Sequence, residues 1–170
     1  RYHEAKDCLN RLLKHNPNNS DIYTNLGHAL MTEGNSSEAI LALEKAISLN
    51  KNNAKSHFSL SQIKKYTTTD PHLQLMESLH ESSNLNHNDR CLLSFALGKA
   101  FGDVGDLQKE FLLLKEGNDL RYSQVKYDDA KEIELCSKLK SNFSQIKKSS
   151  LNIDDVDVRV VPIFIVGMPR

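Results

Sequence analysis

The stretch "SDIYTNLGHALMTEGNSSEAILALEKAISLNKNN", residues 20–53, contains two helical hydrophobic patterns separated by a short turn. The first pattern is Tyr-x2-Leu-Gly-x2-Leu and the second is Ala-x3-Leu, so each has the spacing of one helix face. The small residues Gly27 and Ala39 would let two antiparallel helices approach closely. Gly34 can adopt the positive φ that ends a helix, and Asn35 can cap the next one. The stretch therefore predicts a helical hairpin.

The hairpin pattern recurs along the chain. Ala5 and Leu9 stand 34 positions before their counterparts in residues 20–53. The segment "SFALGKAFGDVGD" carries the pattern again, with Gly98 aligned on Gly27. These two glycines are 71 residues apart, which is two periods of 34 plus three residues. A divergent hairpin is therefore expected between them.

The divergent hairpin is predicted to have its first helix in "AKSHFSLSQIKKY" and its second in "TTTDPHLQLMESLHES". Asp70 can cap the second helix, and Pro71 suits its first turn. In the last hairpin the second helix begins near Leu107, with Glu110 where a small alanine is expected. A further helix, within residues 128–148, is expected to cover the apolar end of the array.

The period and the order of small and large residues resemble the tetratricopeptide repeat family. The resemblance implies an all-α solenoid of helical hairpins over residues 1–127, with a concave face lined by the first helix of each hairpin. A protein or peptide ligand is the partner that such a face implies. The candidate groove residues are Asn25, His28, Lys55, Gln62, Lys65, Phe95 and Lys99.

After a polar, acidic linker at residues 149–157, the sequence changes to "VRVVPIFIV", residues 158–166. This run is β-branched and aromatic and apolar on both faces, which predicts a buried strand of a parallel sheet. Gly167 follows the strand directly, as in phosphate-binding loops whose backbone N–H groups surround an anion. Arg170 could add bidentate donors to phosphate oxygens.

The final residues, "PIFIVGMPR", resemble the beginning of the sulfotransferase fold, in which a strand leads into a Pro-Arg/Lys-Ser-Gly-Thr loop. Residues 54–127 also resemble the repeat region of bacterial proteins that join tetratricopeptide repeats to a sulfotransferase domain. This resemblance implies that Gly167, Pro169 and Arg170 help to bind 3′-phosphoadenosine 5′-phosphosulfate. It further implies that residues 158–170 begin a truncated α/β domain, and that the parent protein transfers a sulfuryl group to a hydroxyl or an amine.

Two other hypotheses fit the same residues. One is a non-enzymatic tetratricopeptide adaptor, and the other is a set of repeats fused to a P-loop nucleotide-binding domain, in which Gly-Lys-Ser/Thr would follow the glycine. In every case the present residues are expected to be non-catalytic on their own. They would mediate a protein interaction or present a substrate, and the sulfotransferase domain itself could occupy the groove.

Composition narrows the function classes. The 22 basic and 22 acidic residues cancel, so no global field favours nucleic acid or an anionic membrane. No apolar run reaches 18 residues and no signal peptide is recognisable, which predicts a cytoplasmic protein without a membrane span.

Cys8, Cys91 and Cys136 are expected to be reduced, buried thiols. His80 and His87 have no carboxylate or cysteine in register, so no metal site is predicted.

Overall fold

A computed structural model of the chain describes residues 2–82, 84–125 and 128–145. These residues are all-helical, and no strand occurs among them. The chain divides into two compact units, residues 1–126 and residues 127–170. The first unit contains α1 (Tyr2–His15), α2 (Ser20–Thr32), α3 (Ser36–Leu49), α4 (Ala54–Ile63), α5 (Pro71–Glu81), α6 (His87–Val104) and α7 (Leu107–Gln124), and the second contains α8 (Asp129–Gln145).

The C-terminal predictions fall on residues that the structure does not describe. These are the linker at 149–157, the strand, and Gly167, Pro169 and Arg170. The helix predicted within residues 128–148 is present as α8. Its role as a cap for the repeats stays a prediction. None of the described helices is long and apolar enough to cross a membrane.

The hairpin predicted for residues 20–53 is confirmed as α2 and α3. Gly34 ends α2 with φ at 80°, and the Asn35 side chain accepts a hydrogen bond from the Glu38 N–H at 3.3 Å. A Cβ added at Gly27 would lie 2.6 Å from Cγ of Leu43, which is fully buried. The two helices can pack this closely only because position 27 has no side chain.

α6 and α7 repeat this arrangement in the same register. Gly98 faces Leu114 as Gly27 faces Leu43, and a Cβ at Gly98 would lie 2.8 Å from a Leu114 methyl carbon. Gly105, with φ at 85°, ends α6 as Gly34 ends α2. The chain therefore contains two hairpins built to one packing rule.

The large residue Glu110 is accommodated by a small one on the opposite helix. Glu110 occupies the position of Ala39, and a Cβ on Gly102 would lie 2.8 Å from its Oε1. The residue aligned with Gly102 in the first hairpin is Met31, which packs against the cluster that contains Ala39. At this contact the large residue lies on the first helix of the α2–α3 hairpin, whereas it lies on the second helix of the α6–α7 hairpin. The small residue lies on the opposite helix in each case.

The segment predicted as the divergent hairpin forms α4 and α5, which pack mainly against α6 rather than against each other. Pro71 opens α5, and the Asp70 side chain accepts a hydrogen bond from the His72 N–H at 2.9 Å, as predicted. α4 ends at Ile63, before the predicted end at Tyr66. Beyond Ile63 the chain is non-helical, and it buries the Tyr66 side chain, which is 2% exposed, in the core of α5 and α6.

The prediction that all three cysteines are buried is wrong for two of them. Cys91 is buried on α6, whereas Cys8 and Cys136 are exposed. Helical spacing of apolar residues therefore overestimated how much of α1 and α8 is covered.

Candidate functional site

The first helices of the three hairpins lie side by side, with α4 in contact with both α2 and α6. Ser56 and Ser59 of α4 point to α2, while Ala54 and Phe58 join the cluster around α6. The outward side of α4 between these two contacts is exposed. The exposed surface of the three helices is called here the first-helix face, and the predicted groove residues on it are Asn25 and His28 of α2, Lys55 and Gln62 of α4, and Phe95 and Lys99 of α6.

Two hydrogen bonds between side chains fix α2 against α4 beneath this face. Thr24 Oγ1 and Ser56 Oγ are 2.7 Å apart and buried, and His28 Nε2 lies 2.5 Å from Ser59 Oγ. Because the Ser59 hydroxyl donates to the Lys55 carbonyl at 2.8 Å, its oxygen accepts from His28 Nε2–H. Burial, followed by the nearby Lys55 ammonium, lowers the pKa of His28. His28 is therefore neutral at pH 7 and held in one tautomer.

Lys99 is occupied by the protein itself. Its ammonium donates to the Lys64 carbonyl and, at 2.5 Å, to Asp103 Oδ2. Asp103 also accepts from the Tyr66 N–H at 3.0 Å. Burial raises the pKa of Asp103, but these hydrogen bonds outweigh it and lower that pKa overall. Lys99 therefore ties the end of α4 to α6 rather than offering a free cation.

The remaining predicted residues differ in availability. Asn25 and Lys55 are exposed, and neither side chain has a hydrogen-bond or ion-pair partner among the described residues. Gln62 is exposed with only a 3.4 Å contact to Ser61 Oγ. Phe95 is half-buried against Gly117 on α7. Lys65 follows the end of α4 and is exposed.

A buried row of three side chains between α4 and α5 has no counterpart among the predicted site residues. His57 Nε2–H donates to the Lys51 carbonyl at 2.7 Å, which leaves its Nδ1 as an acceptor. His72 Nε2–H donates to that Nδ1 at 2.7 Å. His72 Nδ1 is therefore unprotonated and accepts a hydrogen bond from the Tyr66 hydroxyl at 2.8 Å. The carbonyl at one end thus fixes the direction of all three hydrogen bonds.

Electrostatics keep this row neutral. Burial, followed by the charges of His57 and Lys64, lowers the pKa of His72 to about 3, against an opposing effect of Asp70. Burial also lowers the pKa of His57, which is fully buried, and raises that of Tyr66. Every polar atom in the row is paired within the protein. The row therefore bridges α4 and α5 and has no free group with which to act on a ligand.

A second network contains a serine, a histidine and a glutamate, yet it cannot act as a hydrolytic triad. His80 Nε2 lies 2.8 Å from Glu116 Oε2 and 3.1 Å from Ser94 Oγ. A triad needs the serine and the carboxylate on opposite ring nitrogens, whereas both approach the same nitrogen here. Arg90 adds a 2.8 Å ion pair to Glu116. The network links α5, α6 and α7.

No group of three or more metal-ligating side chains occurs in the described part of the chain. Residues 20–53, which form α2 and α3, match the family model of the tetratricopeptide repeat. A comparison with curated proteins gave no match. The chain thus contains a tetratricopeptide repeat within an array of helical hairpins, which supports a protein-interaction scaffold, and the sulfotransferase hypothesis is left untested.

Proposed function

We propose that this chain is a protein-interaction scaffold whose first-helix face binds an extended polypeptide segment. The proposal rests on exposed side chains on two adjacent helices that have no strong partner: Asn25 on α2, and Lys55 and Gln62 on α4. The tetratricopeptide match at residues 20–53 supports the same function class.

The chemistry of the face suits an extended segment. Side-chain amides such as Asn25 and Gln62 each carry a donor and an acceptor, so they can pair with a peptide group of a bound main chain. Lys55 can pair with a carboxylate, and the exposed part of Phe95 offers apolar contact. The hydrogen bonds between α2 and α4 fix the relative position of the two helices that carry Asn25, Lys55 and Gln62 before binding, which lowers the entropy lost on association.

The test is a selection of peptides from a displayed random library on the full 170-residue chain, followed by affinity measurements. Lys55→Glu should weaken binding of the selected peptides about tenfold or more, because the glutamate would repel the peptide carboxylate with which Lys55 pairs. Lys45→Glu makes the same change on the exposed side of α3 and should leave their affinity unchanged. Peptides that bind both variants and the wild type equally would refute the assignment of this face.

We also propose, on sequence resemblance alone, that the repeats serve a sulfotransferase. In that case 3′-phosphoadenosine 5′-phosphosulfate would supply the sulfuryl group. The backbone at Gly167, together with Pro169 and Arg170, would hold its phosphates, and the first-helix face would present the acceptor protein. The scaffold function does not depend on this second proposal.

Calorimetric titration of a form of the protein that extends beyond Arg170 would test the second proposal. Binding of 3′-phosphoadenosine 5′-phosphosulfate should weaken about tenfold or more in Arg170→Ala, because a charge-assisted phosphate contact is lost, and should be unchanged in Arg11→Ala. Binding of ATP without the phosphosulfate would instead favour a P-loop domain. Binding of neither nucleotide would leave the adaptor hypothesis.

A further inference from the structure

α5 and α7 leave a cavity of about 250 Å³ between them, over the side of α6 that faces away from Phe95 and Lys99. Its floor is apolar and is formed by Leu97 and Phe101 of α6 with Leu113 of α7. The volume is smaller than that of most small-molecule sites, which enclose roughly 300–1,000 Å³. It is large enough for one large side chain.

Two side-chain contacts join α5 and α7 at this cavity. Lys109 Nζ of α7 lies 3.3 Å from Glu77 Oε1 of α5, and His80 Nε2 of α5 lies 2.8 Å from Glu116 Oε2 of α7. Both Lys109 and His80 line the cavity, so the contacts sit at its edge. The cavity is therefore bordered by side chains of α5 and α7 that already contact each other.

The rim of the cavity carries an exposed carboxylate that is not paired with a cation among the described residues. Glu81 lies one helical turn after Glu77 on α5, and it has no ion-pair partner among the described residues. The Lys109 ammonium is shared between Glu77 and the Phe101 ring, 4.3 Å from the ring centroid. At the lip, Leu112 leaves an apolar side chain 56% exposed to water.

We propose that this cavity docks a partner protein through one large apolar side chain flanked by a lysine or arginine. The apolar side chain would bury against Leu97, Phe101 and Leu113, which releases ordered water from both surfaces. The adjacent cation would pair with Glu81, while an acidic neighbour would be repelled. The site is separate from the first-helix face, so either proposal can fail without the other.

The test uses the full 170-residue chain with labelled leucine methyl groups, followed by NMR during titration with N-acetyl-Phe-Arg-amide. Saturable shifts are expected at Leu97, Leu112 and Leu113. N-acetyl-Phe-Glu-amide and N-acetyl-Gly-Arg-amide lack one half of the recognition element and should each bind about fivefold more weakly or worse. Glu81→Gln should weaken the Phe-Arg probe about two- to fivefold, as expected for a partly exposed ion pair.

Glu44→Gln provides the matched control, because it removes an exposed carboxylate on α3, in the same compact unit, and Glu44 does not line the cavity. Both glutamates are exposed, so neither change threatens the fold. The proposal is overturned if the Phe-Arg probe leaves the cavity leucines unshifted. It is equally overturned if the Phe-Glu probe binds as well as the Phe-Arg probe, or if Glu44→Gln weakens binding as much as Glu81→Gln.

Discussion

His72 makes the stability of the protein depend on pH. Its pKa is about 3 in the folded chain and 6.5 when unperturbed, so the unfolded chain binds more protons between these values. The free energy of unfolding should therefore be highest above pH 6.5 and should fall as the pH drops. From pH 7.5 to pH 5.0 the loss from His72 should be about 2 kcal/mol. Urea unfolding at both pH values measures it.

His72→Gln is the variant that isolates this effect, because glutamine does not titrate. It should lose about 2 kcal/mol less than the wild type over the same pH interval. The carboxylates titrate in both proteins, so their contribution cancels in the comparison. Parallel losses in the two proteins would show that His72 is not held neutral by its surroundings.

The Tyr66 hydroxyl completes the same row of hydrogen bonds. Tyr66→Phe would leave His72 Nδ1 buried without a donor, which should cost about 1–3 kcal/mol of unfolding free energy. Tyr122→Phe makes the same change on α7, where the side chain is 64% exposed, and should stay within about 0.5 kcal/mol of wild type. Urea unfolding at pH 7.5 distinguishes the two, and equal costs would argue against the hydrogen bond.

Local residues were predictable where neighbours in sequence decide the structure. Gly34 and the caps at Asn35 and Asp70 satisfy the ends of their own helices, so a few adjacent residues specify them. The row that joins His57 to His72 could not be predicted in this way. It depends on where α4 ends and on how α5 sits against α6, which are tertiary features.

At the scale of helix pairs, two glycines should respond oppositely to alanine. Alanine gains about 1 kcal/mol over glycine inside a helix. At Gly27 the new Cβ would meet Cγ of Leu43, which is fully buried, and overpacking of this kind costs about 1–3 kcal/mol. At Gly102 it would meet the carboxylate end of Glu110, which can swing aside.

Gly27→Ala is therefore expected to destabilise the protein by up to about 2 kcal/mol, whereas Gly102→Ala should be neutral or stabilise it by up to about 1 kcal/mol. Thermal and urea unfolding of both variants give the comparison. If the two changes shift stability in the same direction by similar amounts, side-chain mobility at the contact is not what separates them.

The helix pairs also show the limit of pattern matching. The repeat pattern flagged Glu110 as an exception in α7, but it did not reveal the compensating Gly102 on α6. A single repeat position carries only half of a contact between two helices. The compensation can be recognised only when both positions of the contact are compared together, Met31 and Ala39 in one hairpin with Gly102 and Glu110 in the other.

Over residues 1–126, the helical array was predictable because its helices pack within a hairpin or on an adjacent hairpin. Whether each predicted groove residue is free to bind a ligand was not predictable from the sequence. Lys99 has Asp103 one turn further along its own helix, yet its bond to the Lys64 carbonyl depends on α4 ending at Ile63. A helical position therefore predicts which face a side chain occupies, and it does not predict whether that side chain is free.

Burial is uneven along the array, and this predicts a gradient of local stability. α6 contains eight buried residues and α3 contains five, whereas no described side chain of α1 is buried. α1 is held by contact with α2 and by the Lys6 ammonium, which lies 3.5 Å from Glu33 and 3.9 Å from Glu38; partly exposed ion pairs contribute about 0–1 kcal/mol. Opening α1 should therefore cost much less free energy than opening α6.

Hydrogen–deuterium exchange read by mass spectrometry should show amides of residues 4–15 exchanging at least about tenfold faster than those of α6, with α3 close to α6. Protection of α1 equal to that of α6 would mean that a contact other than the one with α2 stabilises this helix.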